Sequence, residues 1–147
     1  MFDSLIQTLR NAQNLDDGKA WFFSVDETVK HEIIMMNTED QLEEHGIDSM
    51  NVSLGEYALF TKAEKIEKGQ RYDHVTLKDT GAFYDSFKIT VSKTGFMVEA
   101  DDVAFYDRPL TLVYGLDILG LTNENKAFLT DFLIENYQNY VRRTLLP

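Results

Sequence analysis

Cysteine is absent from this 147-residue chain, and only three histidines and two prolines occur in it. Without cysteine there is no disulfide framework, no thiolate zinc site and no cysteine nucleophile. Long apolar runs are missing too. The longest uncharged apolar stretches reach four or five residues, so no segment is expected to span a bilayer and no signal-peptide apolar region follows Met1. Positive charge is scarce: 14 basic side chains face 25 acidic ones, for a net charge of −11. The acidic balance argues against a dedicated nucleic-acid binder, which needs a basic stripe to neutralise phosphates. The acidic excess is spread along the chain rather than gathered in a tail. What remains is 44% apolar and 12% aromatic, too hydrophobic for a disordered chain. This is the material of one domain over residues 1–147, able to bury about 70% of its unfolded surface.

Periodicity predicts an α+β fold of N-terminal helices, a small antiparallel sheet built on a β-hairpin, and a long C-terminal helix. Phe2, Leu5, Ile6, Leu9 and Ala12 fall at helical spacing over residues 2 to 14. Asp16-Asp17-Gly18 makes a turn with two candidate N-caps. A second stripe, Trp21, Phe22, Val25, Val29, Ile33 and Met36, predicts a helix from about 19 to 36. Asn37-Thr38-Glu39 either continues it or re-caps a short helix to Glu44, and His45-Gly46 closes it. Residues 46 to 78 are loop-rich, punctuated by glycine and serine, with room for one or two helical turns around Lys62–Lys68. Phe87, Ile89 and Val91, then Phe96, Val98 and Ala100, alternate on either side of Lys93-Thr94-Gly95, as a hairpin requires. Leu110, Leu112 and Tyr114 form a third strand or a helical turn. Thr122 caps the last helix, whose stripe is Leu129, Phe132, Leu133, Tyr137, Tyr140, Val141 and Leu145, with Glu124 and Arg142-Arg143 placed as the helix dipole favours. There are no repeats, low-complexity segments or interdomain linkers.

Catalytic and metal-binding patterns are thin. His31-Glu32 begins a zincin helix motif, but Met35 stands where the second ligand belongs. His45 and His74 have no partner at ligand spacing and read as surface histidines. Asn14-Leu15-Asp16-Asp17-Gly18 and Asp101-Asp102 lack the alternating oxygen ligands of a calcium loop. Asn51-Val52-Ser53 fits a glycosylation triplet by composition alone. No glycine-rich phosphate loop, nucleophile elbow or Ser/His/Asp set occurs, and neither Ser86 nor Asp85 has a candidate base beside it. No catalytic residue, metal or cofactor is therefore expected.

Leu77-Lys78-Asp79-Thr80-Gly81-Ala82 resembles the active-site loop of aspartic proteases, and Ile118-Leu119-Gly120 their later apolar-apolar-Gly element. That resemblance implies a homodimer in which two copies of Asp79 share one proton beside a water. Against it, Lys78 replaces an apolar residue before the aspartate. Only 36 residues (82 to 117) separate the two elements, and the first half of the chain is helical.

The same residues fit a second pattern. Val75-Thr76-Leu77-Lys78-Asp79-Thr80-Gly81-Ala82-Phe83-Tyr84-Asp85-Ser86-Phe87, preceded by Lys68-Gly69-Gln70, is a Thr-Gly-x-apolar-x-x-Ser-apolar signature. It resembles the tail-completion (head–tail joining, neck) proteins of tailed bacteriophages, in the divergent form found in phages and prophages of Bacteroides-type bacteria. In that family a loop leads to a short helix, a hairpin, a later Tyr-Gly and a terminal helix. Tyr114-Gly115 and residues 122 to 145 supply the last two. Upstream, Asn37-Thr38-Glu39-Asp40-Gln41-Leu42, Gly46-Ile47-Asp48-Ser49 and Ser53-Leu54-Gly55-Glu56-Tyr57 also resemble that set. Phe83-Tyr84 departs from the Leu-Arg common in the wider family, removing a basic residue. By its residues alone the Thr-Gly word reads as a helix capped by Asp79 or Thr80 that feeds the hairpin, with Phe83 and Phe87 four apart on one face.

The resemblance implies a structural virion protein, not an enzyme, assembled in the bacterial host cytoplasm and forming a homo-oligomeric ring at the head–tail junction. Its partners would be its own copies, a portal or adaptor protein above and tail-tube proteins below. Double-stranded DNA would pass through without specific binding, past an acidic lumen that repels phosphates. Candidate assembly contacts are Tyr57, Phe60, Lys62, Lys65 and Lys68 in the loop-rich segment, Thr80, Gly81 and Phe83 in the Thr-Gly word, and Lys93, Thr94 and Gly95 at the hairpin tip. The alternatives are the homodimeric protease, using Asp79-Thr80-Gly81, and an acidic cytosolic interaction domain.

Overall fold

The computed structural model describes residues 2–13, 15–101, 104–105 and 108–146. Asn14 and Asp102, from the two acidic turns, lie outside the described residues. The fold is α+β, with the helical N-terminal third and the long last helix enclosing one core.

Helix α1 spans Phe2–Gln13 and α2 spans Asp17–Ser24, the latter capped by the Asp16 side chain accepting from the Lys19 amide. The single helix expected from 19 to 36 is two. The chain breaks at Val25, and the Asp26 carboxylate accepts from the Val29 amide at 2.9 Å to open α3, Glu27–Met35. An aspartate that can cap competes with helix continuation, which outweighs an unbroken apolar stripe.

Helix α3 runs without interruption into a π-helix, Met36–His45, which ends where Gly46 turns left-handed at φ +59°. Ten residues of π-helix are rare, because the wider i→i+5 turn loses packing along its axis. Here it sets Asn37 and Gln41 side by side against the segment 118–122. Asn37 Nδ2 donates to the Ile118 carbonyl at 2.9 Å, and Gln41 Nε2 to that of Gly120 at 2.8 Å. Their oxygens accept from the amides of Gly120 and Thr122. Two side chains thus stand in for a missing strand.

Beyond it, Asp48 holds a tight turn by accepting from the amides of Met50 and Val52. Helix α4, Leu59–Glu67, fills the two turns allowed for in the loop-rich stretch. The short α5, Ala82–Asp85, leads into the hairpin β1 (Lys88–Val91) and β2 (Phe96–Glu99), with Ile89 opposite Val98 and Val91 opposite Phe96. A second antiparallel pair, β3 (Ala104–Phe105) and β4 (Arg108–Pro109), precedes α6, Leu110–Tyr114. Leu110 to Tyr114 is therefore helical, not a strand. After a 3₁₀ turn at Leu116–Ile118, Thr122 caps α7, Asn123–Leu145, by accepting from the Asn125 amide.

Val29 and Ile33 of α3, Leu42 of the π-helix, Val75, Phe83, Phe87, Ile118 and Leu129 form the buried centre. Two expected apolar stripes behave otherwise. Phe132 and Tyr137 of α7 are substantially exposed, leaving Leu129 and Leu133 to face the core. On α1 the inversion is complete: Phe2, Leu5, Ile6 and Leu9 all point to solvent, and no residue of that helix is buried. Asn11, on its other side, ties it to α7 by donating to the Leu145 carbonyl.

A cleft between α4 and the Thr-Gly loop

The words that carry the phage resemblance lie far apart in sequence, yet they pack into one continuous body. The 37–42 word binds 118–122, as above. Ser49 donates its amide to the Asp117 carbonyl at 2.8 Å. Leu54 donates to Gly46, and Val75 to Gly55. The Tyr57 hydroxyl receives the Thr76 amide at 2.9 Å and meets the Thr76 hydroxyl at 3.1 Å. The buried Tyr84 hydroxyl donates to the Thr76 carbonyl. Burial and the nearby Glu43 charge push that phenol well above the ordinary tyrosine value, so it stays a donor.

Where these words meet α4, a cleft of about 270 Å³ opens, lined by Tyr57, Lys65, Leu77, Thr80, Phe83 and Tyr114 among others. Its floor is apolar. Phe83 and Phe87 stack edge to face with centroids 5.1 Å apart, as their four-residue spacing predicts. Leu77 sits in the wall with φ +59°, a left-handed conformation costly for a branched side chain. Its side chain is buried, and packing over-determines the strained backbone, a combination that concentrates at functional sites.

Lys65 is the unusual member. Only 7% of it is exposed, and no carboxylate lies in salt-bridge range among the described residues. Its ammonium donates to the Lys78 carbonyl at 2.8 Å and to Gln70 Oε1 at 3.3 Å, and stands 4.7 Å from the Tyr57 ring centroid. Its hydrogen bonds are met by neutral groups, and its charge acts at longer range on the Asp79 carboxylate, which it helps to hold ionised. Lys68, on the rim, pairs with Asp79 at 3.3 Å.

Asp79 caps nothing. Gly81, at φ +91°, is the N-cap of α5, and Thr80 Oγ1 accepts from the Ala82 amide. Left-handed backbone, not close approach, is what Gly81 supplies, since an added Cβ would meet nothing nearer than 3.9 Å. Partial desolvation raises Asp79, but hydrogen bonds from Gln70 and Lys68 outweigh it and hold the carboxyl below its ordinary range. A protease aspartate must share a proton with a twin; this one is held ionised by two neighbours of its own chain.

Of the expected contact residues, Tyr57, Lys65, Lys68, Thr80, Gly81 and Phe83 converge on this cleft. Phe60 and Lys62 stand beside it on α4, Phe60 largely exposed and Lys62 paired with Glu56. The hairpin tip is elsewhere. Trp21 Nε1 donates to the Ser92 and Gly95 carbonyls, which pins the tip to α2 while Lys93 and Thr94 remain exposed. His74 is not a surface histidine: its ring lies under Gly46, with Nε2 at 2.7 Å from the Glu43 carbonyl. The sequence reading missed Asn37, Gln41 and Asn125 as a buried polar cluster. The four-residue spacing of Asn37 and Gln41 beside Leu42 was the available signal, and none pointed to Asn125.

Among the described residues no cluster of His, Cys, Asp or Glu could hold a metal ion, and no helix is long and apolar enough to cross a membrane. No family model, curated protein or solved structure matches this chain.

Proposed function

We propose that the chain is a structural part of a tailed-phage or prophage virion, forming a homo-oligomeric ring at the head–tail junction. The observation that carries this reading is the large apolar surface left uncovered on separate elements. Phe2 and Leu9 on α1, Leu59 and Phe60 on α4, and Leu112 and Leu116 around α6 are each more than half exposed. On α1 helical spacing joins Phe2, Leu5, Ile6 and Leu9 into one apolar face, and a contiguous exposed face of this kind supports an association surface. The contiguity of the resembling words supports the same reading. The ring binds a portal or adaptor protein on one side and tail-tube proteins on the other, and its acidic composition lets DNA pass without sticking. No turnover is required of it.

Deleting the gene from the phage or prophage that encodes it tests the reading. The expected result is filled heads and finished tails that fail to join. Intact, infectious particles without the protein would overturn it.

A further inference from the structure

The polar side of α1 rests on its own chain, and its apolar side does not. Thr8 and Asn11 are half-buried, and Asn11 donates to the Leu145 carbonyl at the end of α7. Opposite them, Phe2, Leu5, Ile6 and Leu9 form one face exposed along its length. The body that holds α1 lies behind it, so the face is open to a partner.

Charge on α1 is sparse and ordered. The helix holds one acid, Asp3, in its first turn and one base, Arg10, in its last, so it is neutral on a chain of net charge −11. Both lie on the same flank, about a quarter turn from the middle of the apolar face, and about 10.5 Å apart along the axis. Neither forms an ion pair among the described residues. A flank that runs from negative to positive is complementary to itself when turned end for end. With a twofold axis near Ile6, Phe2 of one copy lies opposite Leu9 of the other and Asp3 opposite Arg10, each within about one residue rise of register. Aligned in the same direction, Asp3 would face Asp3 and Arg10 would face Arg10.

We infer that α1 is a pairing helix, which docks antiparallel on α1 of a second copy. The two apolar faces fill the contact, and two Asp3–Arg10 pairs flank it, setting its direction and register more than its strength. The pairing goes beyond the ring reading and stands without it. Identical surfaces meet, so the contact closes at two copies, and between rings it links one to another. Four side chains of this size each remove roughly 100 Å² from water, about 800 Å² over both copies, which is the low end for a specific contact and makes the pair weak. A bilayer is the poorer fit. Helices that lie on membranes carry Lys and Arg along their polar side, which here holds Ser4, Gln7, Thr8 and Asn11. Anionic headgroups also repel a chain this acidic.

Sedimentation equilibrium of the full chain at low salt, up to near-millimolar protein, tests the pairing, with circular dichroism melts to establish that each variant folds. The expected result is a monomer–dimer equilibrium for the unaltered chain and a monomer for Leu5→Ser/Leu9→Ser. Asp3→Arg and Arg10→Asp are each expected to weaken the dimer about tenfold, because each turns both flanking pairs into like charges. Asp3→Arg does so although it lowers the net charge of the chain. An equimolar mixture of the two is expected to restore the dimer, since one altered flank is then basic and the other acidic. A dimer that survives the serines, charge variants that pair as well as the unaltered chain, or a mixture no better than either alone overturns the pairing. So does an unaltered chain that is monomeric throughout, including one that sediments instead with phosphatidylcholine/phosphatidylglycerol vesicles. The ring reading is judged separately, by gene deletion.

Discussion

The side-chain oxygen of Asn37 accepts the amide of Gly120 at 2.7 Å, across 83 residues of sequence. Its nitrogen donates back to the Ile118 carbonyl, and Gln41 repeats the exchange with Gly120 and Thr122. Both side chains are fully buried. Replacing Gln41 by leucine leaves the Gly120 carbonyl and the Thr122 amide short of a partner, while Asn125 Nδ2 keeps the Asp40 carboxylate at 3.0 Å. Each buried group left unmatched costs about 1–3 kcal/mol. Gln41→Leu is expected to lose about 3 kcal/mol in urea unfolding, and Asn37→Leu a similar amount. Asn37→Asp is expected to be worse than Asn37→Leu, because it buries a carboxylate and turns one of its oxygens on the Ile118 carbonyl that Asn37 Nδ2 donates to.

Gly46 ends the π-helix at φ +59°, and a Cβ there would sit 2.4 Å from His74 Cδ2. Gly46→Ala therefore combines left-handed strain of about 1 kcal/mol with a steric overlap that the His74 ring cannot avoid while bound to Glu43. Thermal melting is expected to show a loss above 2 kcal/mol. Adding His74→Ala is expected to relieve the overlap with the ring and leave the left-handed strain together with the close approach to the Val75 carbonyl at 3.0 Å.

Asp73 and Asp79 both titrate below the ordinary aspartate value of 3.8 in the folded chain. For Asp73 the cause is the Arg71 guanidinium, at 2.8 Å. Because the folded values are depressed, the unfolded chain takes up these protons first. The associated stability is complete above about pH 4 and drains away as pH falls through 3.8 and below. Both groups are well exposed, so solvent screening keeps the contribution small. Urea midpoints measured from pH 5 to pH 2 are expected to fall, and Asp73→Asn with Asp79→Asn to lower the midpoint slightly near neutrality and flatten that limb, so that the two chains converge near pH 2. A steeper limb in the double variant would contradict the assignment.

Helix α1 turns its whole apolar stripe outward. Leu5→Ser with Leu9→Ser is expected to change the unfolding free energy by less than about 0.5 kcal/mol per site, as exposed positions do. The same change buried would cost several times more. A large loss would mean that the stripe is covered within the monomer.

Much of this fold is legible in the residues, for local reasons. The hairpin follows from strict alternation at Phe87–Val91 and Phe96–Ala100, and the last helix from Thr122 and the charge bias at its ends. Boundaries failed where a single side chain decides: Asp26 breaks a stripe that hydrophobicity alone would continue. The π-helix is not legible locally, since Asn37 and Gln41 earn their place only from a backbone segment some 80 residues away. The cleft was half visible. The Thr-Gly word and the α4 lysines stood out, but nothing in the spacing showed that Lys65 is buried while Lys62 and Lys68 are not. Nor does periodicity tell inside from outside, and α1 has a proper amphipathic stripe whose apolar side faces solvent.

The central claim is a ring at the head–tail junction, and the most direct measurement is electron microscopy of particles from cells carrying the gene, with the chain gold-labelled. The account predicts label at one place on each particle, between head and tail, with a ring of density there after averaging. Label absent from the particles, or scattered over heads and tails alike, would contradict it.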